Sequence, residues 1–112
     1  MGLGRLERTI GRFVRTAPGG VTAEGPLILV IDDEPAIRRL LRTSLCVQRY
    51  RVVGADTAAE GIRRVRADRP DAVILDLGLP DQDGIGVIRT LRGFSKVPII
   101  VLSSRGDERG KI

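Results

Sequence analysis

The sequence predicts an open α/β fold, a doubly wound parallel sheet with helices on both faces. Three observations carry this expectation. Four short apolar runs recur along the chain, each of strand length. Helix-spaced segments separate them, so strand and helix alternate. The clearest runs are apolar throughout instead of alternating with polar residues, as strands covered on both faces require.

The elements follow in order. Residues 1–16 set Leu3, Leu6, Ile10, Phe13 and Val14 between arginines, a spacing that suits one face of a short amphipathic helix. "TAPGGVTAEGP" (16–26) has the proline and glycine content of a linker. Residues 1–25 are therefore expected to be an extension, either a short helix or a disordered tail, with the compact domain over 26–112. "LILVI" (27–31) is the first strand. The helix after it places Ile37, Leu40, Leu41 and Leu45 on one face, and Pro35 suits its first turn. Cys46 on this helix reads as a small core residue. "YRVVGA" (50–55) is the second strand. Thr57 and Glu60 have capping-box spacing ahead of a helix that buries Ile62 and Val65. "DAVILD" (71–76) is the third strand. In "DQDG" (81–84) turn chemistry leads to Asp83 as the cap of a helix carrying Ile85, Ile88 and Leu91. "VPIIVLS" (97–103) is the fourth strand, with Pro98 tolerable at its start.

Composition narrows the function classes. No apolar run approaches membrane-spanning length, and the N-terminus lacks the apolar stretch of a secretory signal. The single cysteine cannot close an internal disulfide, which agrees with a reducing compartment, and the chain is expected in the cytoplasm. The net charge of +5 invites a nucleic-acid reading. However, the arginines are interleaved with acids, and the chain has one tyrosine, two phenylalanines and no tryptophan. Neither a dense basic stripe nor stacking platforms are present, so direct nucleic-acid binding is not expected.

The chemistry gathers at strand ends. Right-handed crossovers put the carboxyl ends of parallel strands on one rim, where ligands of such sheets bind. Asp32 and Asp33 follow the first strand, and Asp76 ends the third. If those strands are neighbours, three carboxylates converge. Like charges so close repel, and a hard divalent cation such as Mg²⁺ would neutralise them. Ser103 would add a hydroxyl on the same rim.

Taken together, "ILVIDDEPAIRRLLRTSL", "VILDLGLPDQDG" and "VPIIVLSSR" resemble the receiver domain of two-component response regulators. Within that family they look most like the regulators of potassium-uptake operons, in the winged-helix branch. The resemblance implies a flavodoxin-like sheet with its first four strands in the order 2-1-3-4. It also implies a signalling module, not an enzyme, that takes a phosphoryl group from a sensor histidine kinase. At matching positions it implies Asp76 as phosphoacceptor, and Asp32, Asp33, Asp76 and the backbone carbonyl of Gly78 as the Mg²⁺ site. Ser103 matches the hydroxyl that senses the phosphoryl group. The chain has no histidine, so the donor must be another molecule.

The sequence departs from the family after Ser103. It ends at Ile112, before the family's fifth strand with its lysine and the fifth helix, and Lys111 falls too early to replace that lysine. The expected molecule is a truncated receiver, with the DNA-binding domain absent as well. Loss of the fifth strand would leave "VPIIVL" as an open edge, a route to an oligomer unlike the family's own dimer. Two alternatives follow: an inactive receiver remnant, and a Mg²⁺-dependent phosphatase working through an aspartyl phosphate. The second wants an aspartate at position 78, which is glycine.

Overall fold

Buried apolar strands form the centre of the molecule. The computed structural model describes residues 25–102. β1 (Leu27–Ile31) and β3 (Ala72–Asp76) are buried at every position, flanked by β2 (Arg51–Ala55) and β4 (Ile99–Leu102). All pairings are parallel and the order is β2-β1-β3-β4, as the resemblance implies. Successive side chains of a strand point to opposite faces. Ile28, Val30, Ala72 and Ile74 therefore line one face and pack with Leu41 and Leu45 of α1 (Pro35–Val47). Leu29, Ile31, Val73 and Leu75 line the other. They pack with Ala58 and Val65 of α2 (Ala58–Asp68) and with Val87 and Leu91 of α3 (Gly84–Arg92).

Three expectations about helix faces are corrected. Leu40, placed on the buried stripe, is 46% exposed, and Ile85 is 50% exposed. Cys46, read as a core residue, is exposed. In α1 the fully packed positions are Leu41 and Leu45, four apart on one narrow line, and in α3 they are Val87 and Leu91, also four apart. Each helix is seated by that line. The neighbouring apolar residues that widen the stripe on paper lie beyond the contact. Among the described residues β4 is an edge strand, and Val101 on it is 43% exposed. Residues 1–24 and 103–112 lie outside the described residues, and with them the expected N-terminal helix, Ser103 and Lys111.

Helix ends show what local sequence decides. Thr57 caps α2 by accepting a bond from the Glu60 N–H, as the capping-box spacing predicts. The Glu60 carboxylate is turned outward to Arg63 and Arg64. Asp83 caps α3 through the Ile85 N–H. α1 ends in a Schellman motif. The Arg49 N–H donates to the Cys46 carbonyl and the Tyr50 N–H to the Leu45 carbonyl. The motif needs a left-handed residue, and Arg49 supplies it with φ 71° where glycine is the usual choice. Gly61 answers a different need. A Cβ there would lie 2.5 Å from Ile31 Cδ1, so its absence lets α2 sit directly on β1.

Two substitutions test these readings by urea unfolding. Arg49→Gly relieves the left-handed strain and is expected to raise stability by about 0.5–1 kcal/mol. Gly61→Ala is expected to lower it by about 1–3 kcal/mol through overpacking. An unchanged midpoint for Gly61→Ala would mean that Ile31 moves aside freely.

Candidate functional site

Asp32 leaves β1 and Asp76 ends β3 at the carboxyl rim of the sheet. They are only 3% and 5% exposed. Asp33 beside them is half-buried. Each of the three offers a carboxylate oxygen within 4.8 Å of the oxygens of the other two. The structure thus brings together the three acids that sequence patterning put on one rim.

Local bonds fix the two buried carboxylates. Asp32 Oδ1 accepts the Glu34 N–H at 2.9 Å, which turns the chain from β1 into α1. The Asp32 N–H donates to the Ala55 carbonyl at the end of β2. The Asp32 carbonyl accepts from Arg38 Nη1 at 2.6 Å, bringing a guanidinium to the edge of the cluster. Asp76 Oδ1 accepts the Gly78 N–H at 3.0 Å, so the carboxylate is oriented by its own loop. Where that loop returns, Gly84 must be glycine, because a Cβ would lie 2.7 Å from Leu77 Cα.

Packing three carboxylates this closely and this far from water is unfavourable unless positive charge compensates it. An all-oxygen donor set of this kind suits a small hard cation that keeps part of its water shell. The residues present therefore fit Mg²⁺.

The comparisons with known proteins agree with this geometry. Residues 28–112 match the response regulator receiver domain. The chain belongs to that family. Receivers are signalling modules and not enzymes of the ordinary kind. This receiver is 52% identical over 86 residues to the transcriptional regulatory protein KdpE of Mycobacterium tuberculosis. That alignment covers 77% of the chain and 38% of the relative. The KDP operon transcriptional regulatory protein KdpE of Escherichia coli is also 52% identical, over 85 residues, with coverage of 76% and 38%. The chain thus spans 38% of the length of these curated relatives. Among solved structures it is similar to the response regulator TrrA of Thermotoga maritima in complex with Mg²⁺ and BeF. The identity is 33% and the TM-score 0.68, over 78% of this receiver and 76% of that chain. It is similar as well to a structure of the histidine kinase ThkA in complex with TrrA, at 35% identity and TM-score 0.66, covering 70% and 69%.

Sequence reasoning missed two residues at this rim. Arg38 reaches the site from α1, and nothing in an arginine-rich helix singles it out. In the sequence, Asp81 is simply the first residue of the turn segment "DQDG". Its carboxylate accepts the N–H groups of Ala58 and Ala59 at 2.8 and 3.0 Å, so it caps α2 across 22–23 residues of sequence. Those bonds, the one from Ala58 foremost, hold the Asp81 carboxyl below its ordinary value of 3.8.

A depressed folded-state pKa contributes stability above the unfolded value, and that contribution is lost as pH falls through the folded one. Asp81→Ala is therefore expected to lower the melting temperature at pH 7. The gap should close as both proteins are taken below about pH 3.8. A gap constant down to pH 2 would show that the carboxylate charge is not what holds the loop to α2.

Proposed function

We propose that this receiver accepts a phosphoryl group on Asp76 from the phosphohistidine of a sensor kinase. The observation that carries the reading is the set of three carboxylates within mutual reach at one buried rim. A carboxylate oxygen of Asp76 attacks phosphorus as the phosphorus–nitrogen bond breaks, and the imidazole nitrogen takes the electron pair. The product is an aspartyl phosphate. Asp32, Asp33, Asp76 and the Gly78 carbonyl would hold Mg²⁺, which neutralises charge on the transferring oxygens. The Gly78 N–H keeps the Asp76 carboxylate in a fixed orientation, which favours in-line attack. Ser103 would hydrogen-bond the phosphoryl oxygens once they arrive.

The ThkA–TrrA complex supports a histidine kinase as the phosphoryl donor. The two KdpE relatives are transcriptional regulators more than twice as long as the region they share with this receiver. Control of transcription is accordingly assigned to a DNA-binding domain outside these 112 residues, and the site of action to the cytoplasm.

The test is intact mass after incubation with acetyl phosphate, with and without Mg²⁺. The expected result is a Mg²⁺-dependent gain of one phosphoryl group that is lost in Asp76→Asn and strongly reduced in Asp33→Asn. A chain that is folded by circular dichroism yet gains nothing would overturn the proposal and favour a receiver remnant.

A further inference from the structure

At the amino ends of the strands, opposite the acidic rim, lies an open surface cavity of about 600 Å³, in which Arg66, Arg69, Phe94 and Lys96 are exposed. Its walls come from the end of α2 and from the segments that enter β3 and β4. Three cations line it, Arg66, Arg69 and Lys96, and no acidic residue does. Elsewhere on α2 the arginines are neutralised: Arg63 and Arg64 pair with Glu60, and Arg64 also with Asp68. The three cavity cations have no carboxylate partner among the described residues.

Two further features shape the cavity. The Arg66 guanidinium lies over the Phe94 ring, 3.9 Å from its centroid, so the two groups form a flat-faced stack at the cavity. Arg69 takes a left-handed conformation, φ 50°, at the C-cap of α2. Glycine would be cheaper there, yet an arginine occupies the position and its side chain lines the cavity.

The geometry points to a site for a nucleoside diphosphate. The phosphates would lie between Arg69 and Lys96, and the base would extend the stack of Arg66 on Phe94. The volume falls in the range of small-molecule sites. Guanidinium and ammonium groups are the usual partners of phosphate, and a flat-faced stack suits a purine. Because the cavity is at the far end of the strands, its occupancy does not depend on the phosphoacceptor reading of Asp76.

Isothermal titration calorimetry with ADP, pyrophosphate and adenosine, in Mg²⁺-free buffer, tests the assignment. ADP is expected to bind with Kd of about 1 mM or tighter. The double variant Arg69→Gly/Lys96→Gln should weaken it about ten-fold or more, and Phe94→Ala about five-fold or more. Glycine suits the left-handed backbone at 69, so the double variant should unfold at a urea midpoint no lower than the parent's. Pyrophosphate and adenosine should each bind several-fold more weakly than ADP. The proposal is overturned by no ADP binding at about 10 mM, by equal binding to the double variant, or by pyrophosphate binding as well as ADP.

Discussion

In the register between β1 and β3, Ile31 stands opposite Leu75, so the next residue of each chain segment reaches the carboxyl rim at the same level. Those residues are Asp32 and Asp76, and the meeting of the two carboxylates follows from that pairing alone. Asp33 joins them because the turn into α1 begins at Asp32, whose side chain accepts from Glu34. A slip of one residue would send every core side chain of a strand to the wrong face. Core packing therefore holds the acids together indirectly. The strands keep their register to bury Ile28, Leu29, Val30 and Ile31, and the charged rim comes with that register.

Such an arrangement gathers negative charge where the chain is least able to relax. Two nearly buried carboxylates and a half-buried third repel one another. The surrounding structure answers with fixed bonds: Gly78 to Asp76, Glu34 to Asp32, and Arg38 to the Asp32 carbonyl. Each orients a group in advance, and preorganisation of this kind is what phosphoryl transfer needs from a protein.

Much of this was legible in the sequence because strands buried on both faces leave an unbroken apolar signature and end abruptly at a charge. "LILVI" followed by two aspartates, and "AVIL" followed by one, locate the rim without any tertiary knowledge. The strand order followed only from the family resemblance, whereas element order and the caps at Thr57 and Asp83 were legible for the same local reasons. Helix faces were less so. Leu40, Cys46 and Ile85 are spaced as core residues, but burial depends on what packs against a helix, and periodicity does not report that. Arg38 and Asp81 were illegible on different grounds. Their partners are backbone groups brought near only by the fold, and a backbone amide leaves no mark in the sequence.

The bond from Asp81 to the start of α2 has a consequence for how this region can vary. Surface loops usually accept added or lost residues, because their ends are anchored and their middles are not. Here the middle is anchored too. Asp76 holds one end at the sheet, Asp81 clasps a neighbouring helix, and Gly84 must return close to Leu77. The stretch from Asp76 to Gly84 therefore works as a ruler of fixed length. A single inserted or deleted residue would miss one of its three marks, so variation in this segment is confined to changes of side chain.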